Sequence, residues 1–178
     1  MKVEAVSKSP THTLIKKNEN QITLLKGLGV EGDVHQGLTV KHLSRVVKDP
    51  TTPNIRQVHL MPSELFEELA QKGININPGE MGENITTSGI DLIHLPLHTI
   101  LKIGAETKIQ ITGLRNPCSQ LNKINDQLLK AVLDKDEHGT IIRKAGIMSV
   151  VLKGGEINVG DTIEIEFPEK PHKNLEPV

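Results

Sequence analysis

Val159-Gly160-Asp161-Thr162-Ile163-Glu164-Ile165-Glu166-Phe167 is a turn followed by alternation of apolar and charged side chains. A period of two puts the isoleucines on one face and the glutamates on the other, the pattern of a half-buried strand. Ile109-Gln110-Ile111 repeats it. Working outward, Val3–Val6, Ile22–Lys26, Ile55–Leu60, Thr99–Ile103, Lys108–Thr112, Met148–Lys153 and Thr162–Phe167 are rich in β-branched residues and read as strands. Gly154-Gly155 and Val159-Gly160-Asp161 are turn signals, so the last quarter reads as antiparallel hairpins.

Two stretches carry helical spacing. In Pro62–Lys72 the apolar Leu65, Leu69 and Ala70 recur on one side, with Pro62 tolerated early and Gly73 as a stop. From Ser119 to about Asp134, Leu121, Ile124, Leu128, Leu129 and Val132 form one face and predict a long helix. Strands outnumber helices and do not alternate with them. The expected class is therefore mainly β (α+β), a mostly antiparallel sheet curled into a barrel with a few helices.

Composition narrows the function. The 178 residues carry 21 Lys+Arg against 22 Asp+Glu, two Phe, no Trp, no Tyr and one Cys. A chain of this length buries roughly 68–70% of its unfolded surface, enough for one good core. A charge near zero offers no field for nucleic acid or an anionic membrane, and aromatic poverty removes stacking platforms for single strands. One cysteine excludes an internal disulfide and any zinc site built on several cysteines. The start MKVEAVSKSP lacks the apolar run of a secretory signal, and no stretch is long enough to span a bilayer, so a cytoplasmic setting is expected. Pro168–Val178, with three prolines in eleven residues, reads as an extended or mobile tail, and Ser44–Asn54 as a polar loop.

Gly27-Leu28-Gly29-Val30-Glu31-Gly32 matches G-x-G-x-x-G, the dinucleotide fingerprint. That motif works only when a helix opens behind it to hold the pyrophosphate. Here Asp33-Val34-His35-Gln36-Gly37 follows, without a helical pattern, and the match reads as a glycine-hinged turn.

Cys118 lies in Gly113-Leu114-Arg115-Asn116-Pro117-Cys118-Ser119, between a strand end and the expected helix. A helix N-terminus and a nearby arginine both favour a thiolate. A small buried residue is the alternative. His35, Arg56, His59, Glu80, Glu83, Asn84, Arg115, Arg143 and Lys144 are the other polar candidates. His35 and His59 have no metal-motif spacing, and the glycines around Glu80 and Glu83 suggest loop shaping. Arg143-Lys144 reads as a solvated basic pair or a phosphate contact.

Together these segments resemble a family. Gly29-Val30-Glu31-Gly32-Asp33-x-His35, then Arg56-Gln57-Val58-His59-Leu60, then Pro78-Gly79-x-x-Gly82-Glu83-Asn84-Ile85-Thr86-Thr87 are similar to successive motifs of the MOSC domain, named for the C-terminal domain of molybdenum cofactor sulfurase. Arg115-x-Pro117-Cys118 and Gly146–Val151, followed by Gly154-Gly155 and Gly160-Asp161, continue the pattern. The resemblance covers residues 1–167, leaving 168–178 as a Pro-rich tail, and is to the stand-alone bacterial type. Many relatives carry a His-x-Gly-Gly element where this chain has Ser44–Asn54.

The resemblance implies a β-barrel that handles molybdenum cofactor (molybdopterin) or sulfur on a cysteine. It makes Cys118 the catalytic residue and molybdenum ligand, with Arg56, Arg115, Asn84, Gly32, Asp33 and His35 holding the cofactor. The implied chemistry is reduction of N-hydroxylated small molecules, with electrons from a separate donor protein. A persulfide-bearing sulfur carrier fed by a sulfur-donor protein, or a non-catalytic cofactor-binding module, are the alternatives. Sulfurases fuse this domain to a pyridoxal-phosphate enzyme; no such site is expected in this chain, and no nucleic-acid or membrane partner.

Overall fold

In a computed structural model describing residues 1–178, the alternating stretches become strands with small shifts of their ends. The first half runs β1 (Lys2–Lys8), β2 (Lys17–Glu19), β3 (Gln21–Leu25) and β4 (Gly29–Val30), then the one-turn helix α1 (Leu43–Val46) and β5 (Val58–Pro62). Helix α2 (Glu64–Gln71) leads to β6 (Ile85–Ser88), β7 (Ile100–Ile103) and β8 (Thr107–Leu114). Helix α3 (Leu128–Ala131), β9 (Leu133–Lys135), β10 (Ile141–Arg143), β11 (Ile147–Lys153), β12 (Gly155–Asn158) and β13 (Ile163–Glu166) complete the chain. Strand β8 shows the clearest alternation, buried at Thr107, Ile109, Ile111 and Gly113 and half-buried between them.

Eight strands form one sheet in the order β13-β7-β8-β11-β5-β6-β1-β2. Every pair is antiparallel except β5 with β6. A second sheet, β12-β3-β4, covers part of it, and twenty buried apolar residues such as Ile22, Leu24, Val58, Leu101 and Ile109 form the main core. At about 25 cal/mol per Å² of apolar surface, this contact is the principal source of stability. The expected barrel is not formed. The outer strands β13 and β2 do not pair; a single bridge, Lys2 to Thr162, ties β1 to the entry of β13. The Gly154-Gly155 turn sends the chain into β12 and onto β3, outside the large sheet.

The two helical stretches end differently. Leu65 and Leu69 of α2 are buried in a second cluster with Met81, Leu121, Leu128, Val132 and Ala145. The long helix from Ser119 is not there: a 3-10 segment (Ser119–Lys123) and α3 are separated by a break, and Asp134 lies in β9. Side chains explain the break. Asn125 Oδ1 accepts the Gln127 N–H at 3.0 Å and Asn122 Oδ1 the Leu129 N–H at 3.1 Å, so amides compete with the helical ladder. The apolar residues were on the right face, but on two short pieces.

The last residues are extended but docked. Leu175 joins the main core, Leu97 donates to the Lys173 carbonyl, and the Leu114 N–H donates to Glu176 at 2.8 Å. The 44–54 loop begins within α1 and is closed by a Thr39–Pro53 bridge.

Candidate functional site

A row of residues crosses four neighbouring strands of the large sheet: Gly113 on β8, Met148 on β11, His59 on β5 and Asn84 at the entry of β6. The last three line a cleft of about 610 Å³, walled by residues 12–14, 16, 35, 42–45, 48, 56, 81–82, 115–116, 118 and 120. Lys16, Arg45, Lys48, Arg56 and Arg115 line it with four histidines, and no aspartate or glutamate does. In a chain with a net charge of -1, that segregation is a local feature rather than a global excess.

One wall is an internally satisfied network centred on Asp33. Its side chain is 1% exposed and receives Lys16 Nζ at 2.7 Å, Asn84 Nδ2 at 3.1 Å and the Ser9 N–H at 3.2 Å. The other carboxylate oxygen accepts the His35 N–H at 3.0 Å and Nδ1–H at 3.1 Å. Burial alone would raise the Asp33 pKa; the His35 hydrogen bond and the Lys16 charge outweigh it and hold it well below the carboxylate range. Lys16, itself buried, has its pKa lowered by desolvation, which Asp33 opposes. Asn84 is fully engaged, donating also to Ser7 and accepting the His59 N–H at 3.2 Å.

The opposite wall is unsatisfied. Arg56 Nε and Arg115 Nη1 are buried without a hydrogen-bond partner. Arg115 is 8% exposed. Desolvation lowers both arginine pKa values, that of Arg56 to about 10, while the charge of Cys118 raises both. Glu83 also favours the charged Arg115 through space; its Oε1 accepts the Gly79 N–H and the Thr86 hydroxyl, its Oε2 is buried without a hydrogen-bond partner, and burial raises its pKa. Cys118, the sole thiol, is exposed in this cleft. It caps only the five-residue 3-10 segment, so the helix-dipole support expected for it is absent and the arginines are its electrostatic setting. Gly146 shapes the approach: its φ of +84° and its contact with the Leu60 carbonyl leave no room for a Cβ, and its own carbonyl accepts the Arg115 N–H.

The histidines differ in role. His59 is buried, with Nε2 donating to the Ala145 carbonyl at 2.8 Å; burial holds its pKa well below the usual value, and it is a satisfied core residue. His35 and His42 lie with ring centroids 4.3 Å apart, and His12 stands edge-on to His35 at 5.6 Å. Burial and neighbouring cations push His42 down to about 2.

Of the residues singled out from sequence, Cys118, Arg56, Arg115, Asn84 and His35 share this cleft. Gly32 and Asp33 stand behind the wall: the Gly32 N–H is taken by Gln36, and Asp33 acts through Lys16, Asn84 and His35. Glu80 and Glu83 brace loop amides, and Lys144 pairs with Glu68 and Asp134. Strand β4 is followed by turns and no helix, consistent with rejecting the dinucleotide match. Lys16, His12, His42, Arg45 and Lys48 were missed. Lys41-His42-x-x-Arg45-x-x-Lys48, with cations every third or fourth residue, was an available signal; Lys16 had none.

No group of three or more His, Cys, Asp or Glu side chains is arranged to hold a metal ion. A profile of the MOSC domain matches residues 31–164, which is 134 of 178 positions. Among solved structures, the chain is similar to the YuaD protein of Bacillus subtilis, with a TM-score of 0.75 and 24% identity over 94% of this chain and 96% of that one. It is also similar to YiiM from Escherichia coli (TM-score 0.62, 19% identity, 97% and 73% covered) and YiiM from Geobacillus stearothermophilus (0.61, 21%, 92% and 73%). At these identities the likeness shows a shared fold. No curated protein sequence matches the chain.

Proposed function

The chain belongs to the MOSC domain family, and from that premise we propose that its cleft binds molybdenum cofactor, with Cys118 as the molybdenum ligand, and reduces N-hydroxylated small molecules. The observation that carries this reading is the buried, unpartnered Arg115 beside an exposed lone thiol in a cleft without carboxylates. Leaving a buried cation without a partner is costly, so an anionic ligand is the natural completion of this wall. The donor set fits the cofactor: guanidinium groups suit a phosphate or oxo group, and a thiolate suits a soft, high-valent metal. Without a three-ligand cluster, a metal here must arrive with ligands of its own.

When bound, the cofactor supplies a two-electron redox centre. The chain's own residues do the rest. Arg56 and Arg115 bind and orient the anionic groups, with the Cys118 sulfur exposed in the same cleft. Asn84 and Asp33 act as positioning residues, holding His35, Lys16 and β6 in place. Reduction of an N-hydroxyl group takes two electrons and two protons and yields the amine and water, with the electrons coming from a separate donor protein. No helix is long and apolar enough to cross a membrane.

Metal and pterin analysis of protein from a cofactor-competent host is the test. Molybdenum and pterin close to stoichiometric in wild type, with molybdenum lost in Cys118→Ser, is the expected result; a metal-free wild type overturns it. The exposure of Cys118 also supports a second reading, a sulfur carrier. That reading expects one reductant-labile extra sulfur on the intact protein after incubation with a sulfur donor.

A further inference from the structure

His12, His35 and His42 come from three separate segments: the loop after β1, the turn after β4 and the entry of α1. They converge in one file on the cleft wall, His35 in the middle with neighbours at 4.3 and 5.6 Å. His35 is the anchored member. Asp33 accepts both its main-chain N–H and its Nδ1–H, which fixes the ring and leaves the Nε2 lone pair free. The charged and titratable groups facing this file are Asp33, Lys16, Arg45 and Arg56, besides the three imidazoles themselves. The one carboxylate among them is already paired with Lys16 at 2.7 Å. Burial and the nearby Lys16 lower the pKa of both His35 and His42, and Arg56 adds to the effect at His42. An anion reverses that field, since it neutralises the cations and attracts a proton to the same rings.

We propose that the Asp33–His35 pair with the adjacent His42 is the proton-handling element of the cleft: binding of an oxyanion is coupled to uptake of one proton at this imidazole pair, which His35 Nε2–H then donates as a hydrogen bond to the bound ligand. The proton comes from solvent, is taken by the free ring nitrogen, and no other bond forms or breaks. The proposal rests on the anion-binding reading above and extends it, because it makes the loaded cleft carry a proton next to the reacting group.

Sulfate is a suitable probe because it stays a dianion across the useful range. Calorimetric titration of the full chain with sulfate, in buffers of different ionisation enthalpy between pH 5.5 and 8, counts the protons taken up. The chain has no Trp or Tyr, so histidine-ring NMR shifts serve as the second readout and the amide spectrum as the folding control. The expected result is uptake approaching one proton per sulfate and an affinity rising about tenfold per pH unit as pH falls across the linked range. His35→Gln, which keeps a donor for Asp33, and His42→Gln are each expected to bind sulfate with uptake and pH dependence reduced. Sulfate binding with no proton uptake overturns the proposal and leaves the anion-binding reading intact. Undiminished uptake in both folded variants overturns the assignment to this pair. Failure of wild type to bind sulfate at any pH overturns the anion-binding reading, and this proposal with it.

Discussion

Lys16 and Arg115 face the same cleft, both are buried, and both carry a positive charge, yet only one is complete. Lys16 has a carboxylate at 2.7 Å inside a network that also fixes Asn84 and His35. Arg115 has a buried nitrogen without any acceptor. The Asp33 wall is finished by the fold; the Arg115 wall keeps a buried donor without an acceptor. If the proposed reading holds, the contrast separates residues whose loss harms folding from residues whose loss harms binding, although all are charged and close together.

The largest effect comes from breaking the finished wall. Asp33→Asn leaves Lys16 as an uncompensated buried charge and is expected to cost about 3–5 kcal/mol in urea unfolding. A loss under 1 kcal/mol would show that the two walls do not differ. Arg115→Met is expected to do the opposite in the free protein, raising stability by about 1–2 kcal/mol because a desolvated guanidinium with an unmet donor is removed. Its sulfate affinity is expected to fall at least tenfold, and a destabilised Arg115→Met breaks the comparison from the other side.

Acid sharpens it further. His35, His42 and His59 have lowered pKa values in the folded chain, so the unfolded chain binds more protons below about pH 6.5 and stability falls as pH drops. Between pH 7 and 5 the loss is expected to be on the order of 1–2 kcal/mol for each histidine that stays neutral. Asp33 has a depressed pKa, so its contribution is intact above about pH 4 and fades only as pH falls toward its folded value. Thermal unfolding across pH 5–8 reads this directly, and added sulfate is expected to flatten the slope. The smallest effect is at the rim. Lys48 is solvent-exposed, so Lys48→Ala is expected to leave stability within about 0.5 kcal/mol. Its sulfate affinity is expected to fall by less than a factor of about three, as calorimetry would show.

The same contrast explains what sequence could disclose. Strands were legible because alternation is local: every strand anticipated from β-branched runs exists, within a few residues at its ends. The helix from Ser119 was misread because Asn122 and Asn125 bind backbone amides, a competition that apolar spacing does not register. The tail was read only as extended or mobile, since its docking runs through backbone hydrogen bonds to Leu97 and Leu114 and a single apolar side chain, Leu175, too little to form a pattern. In the cleft, motifs similar to a known family brought out Cys118, Arg56 and Arg115. The Lys16–Asp33 pair stayed hidden because its partners are 17 positions apart and meet only through folding.

The lone exposed thiol also sets the chain's exposure to oxidants. With no second cysteine to resolve a sulfenic acid as an internal disulfide, an oxidised Cys118 has two ways forward: capture by an outside thiol or irreversible climb to sulfinic and sulfonic acids. On the proposed reading, a ligand seated against Arg115 would shield that sulfur, and filling the cleft would also preserve it.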